Sequence, residues 1–227
     1  MTRLSYINED FYSPHVAPEV MDELLAEGWR HFGTYFFRYN MGFHDFEIRR
    51  VYPLRIRLAD FSFSRSQRRI LRRNEDLQTV IRPVVIDAEK MHLFDRHKRR
   101  FKENIPDSIY DFLSQSPAEV PCRALETSVY ENGTLLAASF FDVGAESVSS
   151  IYAMFEPEEK KRSLGIYTML LEIKYALENG KKFFYQGYAY EGNSFYDYKK
   201  KFRAVEKYDW NGGWEKFEEE KSRGSHE

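Results

Sequence analysis

Five arginines and no acid occupy SRSQRRILRRN, residues 64–74. A solvated charged helix usually interleaves acids for i,i+4 pairing, so a block without them is suited to phosphates. Between residues 49 and 73 nine arginines stand against Asp60 alone, a local +8 in a chain of formal charge −2. The whole molecule therefore has no general attraction for nucleic acid, and any such role falls to this patch. It reads backbone charge rather than base identity, which assigns Arg65, Arg68, Arg69, Arg72 and Arg73 to phosphate binding. A second stretch, EPEEKKRSLGIY, places Arg162, Ser163, Leu164 and Gly165 just before a long apolar run. A helix start there leaves backbone N–H groups free to hold an anion or a carbonyl oxygen. Asp142, closing FFDV, reads either as a turn carboxylate or as a group that recognises an ammonium. Gly187 before Tyr188 permits a ligand to approach the backbone, or else marks a bulge with aromatic packing. Alternation along VSSIYAMF puts Ser150 and Tyr152 on one strand face, as simple sheet residues or as part of a site. His92 and His97 lie five apart and share no helix face, and Cys122 is the single cysteine, so no disulfide and no metal are expected.

Elements must position these groups. APEVMDELLAEGW predicts a helix with Pro18 in its first turn and Gly28 at its end. TYFFRYN, HDFEIRR and YPLRIRL alternate as short antiparallel strands, with Arg55 and Arg57 on one face. Ser64 caps the basic helix, LQTVIRPVVI is a strand, and DAEKMHLFDRHKRRFK and DSIYDFLSQ read as helical. RALETSVY and TLLAASFFDV join through Asn132-Gly133, a tight hairpin turn. VSSIYAMF, the helix LGIYTMLLEIKYALENG, the strand KKFFYQGY, the helix SFYDYKKKF and the strand VEKYDW follow, then a charged tail, EKFEEEKSRGSHE, expected to fray. Aromatic residues at 17% exclude a disordered chain. With charge interrupting every apolar run, no membrane association is expected, and the lone cysteine and absent signal-like run fit a cytoplasmic protein.

Strands feeding a helix through a basic loop are the plan of the GNAT acyltransferase fold, whose pyrophosphate loop reads R/Q-x-x-G-x-G/A. Arg162 and Gly165 match it, while Tyr167 stands where a small residue admits coenzyme A. FEPEEKKRSLGIYTMLLEIKYA, FFYQGYAYEGNSFYDYKKKFRAVE and the final GGW resemble the C-terminal domain of the arginyl-tRNA-protein transferase family, including its bacterial leucyl-transferring relatives. MDELLAEGWRHFGTYFFRYN and YPLRIRLADFSFSRSQRRILRRN resemble that family's W-R-x-x-G-x-Y segment, strand and basic helix. The resemblance implies an α+β chain, with a smaller N-terminal α+β lobe over residues 1–85 and a GNAT-like domain over 86–227. It implies transfer of arginine or leucine from aminoacyl-tRNA, a co-substrate rather than a cofactor, to the N-terminal amine of proteins beginning with acidic residues, marking them for degradation.

Such a reaction joins an amine to an ester carbonyl and needs no nucleophilic side chain, only positioning, a neutral amine and oxyanion stabilisation. Asp142 and Tyr188 are the catalytic candidates. Arg162, Ser163, Leu164 and Gly165 would hold the tRNA 3′ end or the oxyanion, with Tyr167 filling the pantetheine space. Ser150, Tyr152, Gly187, Tyr196, Lys199 and Arg203 would bind substrate, the last three through the family's Y-K-x-x-F/Y-R-like segment. One departure is plain: the family's N-terminal C-x-x-C and later cysteines, which hold an iron-sulfur cluster or a metal, have no counterpart in LSYINEDFYSPH or NMGFHDFEIRRVYPL. Two other readings stay open, a coenzyme A-dependent GNAT N-acyltransferase and a non-catalytic tRNA-binding protein.

Overall fold

Alternating strands bury their apolar faces in two sheets of unequal size in the computed structural model, which describes residues 5–44 and 46–218, the side chains of Phe195 and Tyr196 excepted. The elements run β1 (Asn8–Tyr12), α1 (Pro18–Ala26), β2 (Arg30–Phe32), β3 (Tyr35–Tyr39), β4 (Met41–His44), β5 (Glu47–Arg57), α2 (Arg65–Arg73), β6 (Gln78–Pro83), α3 (Ala88–Lys98), β7 (Ala124–Glu131), β8 (Thr134–Val143), β9 (Ser147–Phe155), α4 (Leu164–Glu178), β10 (Phe183–Tyr190), β11 (Val205–Tyr208) and β12 (Trp214–Lys216). The small sheet has the order β1-β3-β2, and the large one β12-β11-β5-β10-β9-β8-β7-β6, with β4 paired to β5.

Local chemistry sets these boundaries. Ser64 and Gln67 form a reciprocal capping box at the start of α2. Asp87 accepts from the Lys90 amide at the start of α3. Asn132 and Gly133 both take positive φ, 50° and 82°, as a two-residue hairpin turn requires. The β9–β10 pair is parallel, and α4 is the crossover that a parallel pair needs. α4 covers one face of the sheet through Met169, Leu170, Ile173 and Ala176 against Phe141, Val148 and Phe184. α3 covers the opposite face, with Leu93 and Phe94 against Phe140 and Met154. This is the α+β, GNAT-like arrangement that the sequence implied.

The structure departs from the expected organisation in several places. A lobe ending at residue 85 does not form as a separate layer: β5 lies between β10 and β11, and β6 pairs with β7 from Gln78 to Pro83. Val51, Leu54 and Ile56 on β5 are apolar core residues, and only the centre of the sheet buries them. The expected strands HDFEIRR and YPLRIRL share one strand, Glu47–Arg57, while His44 ends β4 and Asp45 lies outside the described residues. β5 runs on through Pro53 because the β11 ladder starts only at Leu54 and spares Pro53 the amide it lacks. DSIYDFLSQ contributes one 3-10 turn, Ile109–Asp111, and SFYDYKKKF another, Phe195–Lys201. β1, β2 and β12 were not legible as strands; β12 takes in the first residues of the expected fraying tail, whose residues 219–227 lie outside the described residues.

Candidate active site

β9 and β10 are hydrogen-bonded neighbours only from Ser147/Phe183 to Ser149/Tyr185. Beyond that point β9 stays with β8 and β10 stays with β5, so the two strands part. A bulge at Gln186 on β10 and another at Ile151 on β9 turn the strands away from each other. The gap is filled by charge. Arg30, carried by β2 of the small sheet, donates to Ser149 Oγ at 2.6 Å and to the Ser150 carbonyl. Lys199 donates to the Tyr188 carbonyl at 3.3 Å. Gly187 sits between the two cations with φ +89°, and a Cβ there would lie 3.3 Å from Lys199 Nζ and 3.7 Å from Arg30 Nη2. Only glycine gives that backbone without strain, and a Cβ there would press on Lys199 while making an ordinary contact with Arg30.

Burial rewrites the ionisation of this cluster. Desolvation lowers the Lys199 ammonium to about 7, and the neighbouring Arg30 charge adds to the shift. Burial pushes the Glu172 carboxyl, on α4, up to about 8; Ser139, Ser150 and Arg30 oppose the rise and Asp142 adds to it. Glu172 is thus a neutral acid near pH 7, and its Oε2 is buried without a hydrogen-bond partner among the described residues. Burial also lowers Arg30, opposed by Asp142, Tyr188 and Glu172, but a guanidinium stays charged. The cluster has a positive excess where the strands separate.

The expected site residues divide around this gap. Gly187, Lys199 and Ser150 belong to it, and the close approach that Gly187 permits is that of Lys199. Tyr188 does not present its hydroxyl to open space: it lies 2.6 Å from the Gly28 carbonyl, after α1, and 3.3 Å from the Phe37 carbonyl on β3, donating towards both, and its phenol is pushed up by burial. Asp142 is 1% exposed and committed to His31 Nε2 at 2.8 Å and Cys122 Sγ at 3.2 Å. Burial, reinforced by Asp142, raises the Cys122 thiol strongly, so it is a protonated donor. The bulge at Ile151 breaks the alternation between Ser150 and Tyr152. Ser150 faces Glu172, whereas Tyr152 stacks on Phe112 at 4.0 Å on the α3 side. Arg203 donates to Ser62 Oγ at 2.7 Å on the surface. The side chain of Tyr196 lies outside the described residues.

The loop before α4 also differs from its expected use. Arg162 is held by Asp76 at 3.0 Å and by Glu131, so its charge is spent within the protein. Tyr167 is buried and its hydroxyl donates to the Asn74 carbonyl at 3.3 Å, in the core beneath the loop rather than in a pantetheine channel. A Cβ at Gly165 would meet Phe155 at 2.7 Å, so this glycine lets α4 close on β9. Ser163 is left-handed, φ 55°, and its carbonyl takes the Ile166 and Tyr167 amides. The Leu164 and Gly165 amides meet no protein acceptor among the described residues. α2 abuts this loop: Arg73 donates to the Lys161 carbonyl, and Asn74 Nδ2 to the Arg162 carbonyl at 2.9 Å. All five α2 arginines are exposed beside it.

Sequence reasoning missed Arg30, His31 and Glu172. The signal for Glu172 was present, since it falls between Met169 and Ile173 at core spacing along an apolar helix. Arg30 lies inside the W-R-x-x-G-x-Y segment, but nothing local says that its side chain crosses to another sheet.

A parted strand pair, a crossover helix and a helix N-terminus whose first amides meet no acceptor among the described residues define a GNAT-like architecture. The family is specific: a model of the arginine-tRNA-protein transferase C terminus matches residues 89–209, and one of its N terminus matches residues 3–69. The chain belongs to the arginine-tRNA-protein transferase family and is an aminoacyltransferase. It is similar to the aspartate/glutamate leucyltransferase of Nitrosococcus oceani, 32% identical over 69% of this chain and 67% of the relative. To the enzyme of that name from Leptospira interrogans it is 29% identical, over 87% of this chain and 77% of the relative. The solved structure of L-PGS from Bacillus licheniformis has a similar fold, with a TM-score of 0.51 at 16% identity, over 70% of this chain and 60% of that one. The family's cysteine cluster does not fit this chain, because Cys122 is its only cysteine.

Proposed function

We propose that this aminoacyltransferase moves leucine from leucyl-tRNA to the N-terminal amine of proteins that begin with Asp or Glu, in the cytoplasm and as a mark for degradation. The choice of leucine over arginine follows the name carried by the relatives. The observation that supports the acidic acceptor is the pair of cations, Arg30 and Lys199, at the parting of β9 and β10, with Glu172 neutral beside them. A carboxylate one side chain away from the attacking amine would bind there and draw a proton onto Lys199. A neutral glutamine would not. The donor is supported by the Leu164 and Gly165 amides, an anion site at the start of α4, with the α2 arginines beside it for acceptor-stem phosphates. In transfer the acceptor nitrogen attacks the ester carbonyl, the ribose oxygen leaves, and the proton lost by the amine ends on that oxygen.

The test uses tRNA charged with labelled leucine or arginine and peptides that begin with Glu or Gln. Leucine should pass to the Glu peptide, and Lys199→Met should lower kcat/KM for that peptide by about 10- to 100-fold, the worth of a charge-assisted contact, with little effect on the Gln peptide. Equal losses on both peptides would remove the cation pair from acceptor selection. Transfer of arginine alone would reverse the donor, and transfer of neither would end the proposal.

A further inference from the structure

On the α3 side of the sheet, His31, Cys122 and Asp142 bring three different donor types together from β2, the segment before β7 and the end of β8. Their ligand atoms all lie within 4.8 Å of one another, and all three residues are buried. His31 Nδ1 lies 2.9 Å from the Gly33 carbonyl, which can only accept, so Nδ1 carries a hydrogen and Nε2 points to Asp142 Oδ2 at 2.8 Å. An imidazole held by a backbone carbonyl through one nitrogen is oriented to bind a metal through the other. A pocket of about 10 Å³ adjoins His31 and Asp142, bordered by Phe112, Leu113 and Pro121. That is room for about one water.

We propose that His31 Nε2, Cys122 Sγ and one Asp142 carboxylate oxygen form a zinc site, with a water in the adjoining pocket as the fourth ligand. Thiolate, imidazole and carboxylate are the three protein ligand types that zinc takes, at about 2.0–2.3 Å in tetrahedral array. The present Nε2–Oδ2 and Sγ–Oδ1 separations, 2.8 Å and 3.2 Å, are those of hydrogen bonds. Seating an ion asks the donors to back apart by about half an ångström or more. Charge conservation favours the exchange. Without the ion, the thiol donates its proton to Oδ1 and one proton lies between Nε2 and Oδ2, so the three groups together are neutral. Zinc displaces both protons to solvent; thiolate, carboxylate and dication again sum to zero. The ion therefore adds no net charge to the core and leaves the field at Arg30 little changed. Bound, it would staple the small sheet to β8 and to the segment entering β7 by coordination.

The full-length protein, stripped by a chelator and titrated with Zn²⁺ or Co²⁺ alone, tests the site. One equivalent of zinc should be retained through gel filtration, with two protons released per ion. Cobalt should give a thiolate charge-transfer band. Cys122→Ser should abolish that band and weaken zinc at least about 100-fold, while the circular dichroism of the metal-free variant matches the parent. Asp142→Asn gives a second reading of the same loss if the serine variant does not fold. Failure to retain zinc, a cobalt complex without the thiolate band, or equal affinity in both variants would overturn the site.

Discussion

Glu172 shows how a single side chain reports the character of the gap between β9 and β10. Its carboxyl is raised to about 8 chiefly by burial, so between an unfolded value of 4.5 and about 8 the folded protein holds a proton that the unfolded chain has released. Folding stability at this residue therefore falls as pH rises through that window, by up to about 1.4 kcal/mol per unit. Lys199 acts in the opposite sense at higher pH. Its value is lowered from 10.5 to about 7, so the unfolded chain binds the extra proton and stability rises between those limits. Glu172→Gln, neutral at every pH, should match the parent in urea unfolding at pH 5 and exceed it at pH 7.5. An equal difference at the two pH values would mean that Glu172 is ionised in the folded state. The same reasoning bears on selectivity. An acidic acceptor gains from Lys199 only while the ammonium is charged, so preference for a Glu over a Gln peptide should decline above about pH 7. A pH-independent ratio would leave Arg30 as the sole reader.

At the scale of elements, the site exists because two bulges end the β9–β10 ladder after three residue pairs. Gly187, at the β10 bulge, is the more sensitive of the two to substitution. Alanine there must adopt φ +89° and crowd Lys199 Nζ. Gly187→Ala should cost about 1–3 kcal/mol in urea unfolding, as strained backbone does, and should also reduce discrimination for the acidic acceptor. Stability lost with discrimination intact would mean that Lys199 simply swings aside. The hairpin β7–β8, the crossover α4 and the capped α2 were legible in the sequence because each is written locally, in Asn132-Gly133, in apolar spacing and in Ser64 with Gln67. The placement of β5 was not, since its partners lie more than a hundred residues away on β10 and β11. Nor was the bulge at Ile151, which puts Ser150 and Tyr152 on opposite faces although plain alternation unites them. Asp142, Tyr188 and Arg162 were singled out for their chemical type. What decides their use is the partners that long-range packing supplies: His31 and Cys122, the Gly28 carbonyl, and Asp76 with Glu131.

Across the whole molecule, charge is sorted rather than abundant. Of the nine arginines between residues 49 and 73, Arg55 and Arg57 share the strand face predicted for them and spend their charge on Glu206. Arg49 donates to the Asn193 carbonyl. What remains is concentrated on α2, exposed and set against the loop that opens α4, so the basic helix and the unpaired amides form one surface rather than two separate ones. No described helix is long and apolar enough to cross a membrane, and the patch faces solvent. On the proposed function, a polyanion docked on α2 would also meet the first amides of α4. Binding of this kind releases counterions, and the slope of log affinity against log salt falls by nearly one for each phosphate left without its cation. Arg68→Glu with Arg72→Glu should weaken tRNA binding and lower that slope by about two. Arg162→Gln removes a formal charge already neutralised by Asp76 and Glu131, and should leave the slope unchanged while lowering stability. If the Arg162 variant flattened the salt dependence as much as the α2 pair, the docking surface would lie on the loop itself and α2 would be a solvated helix.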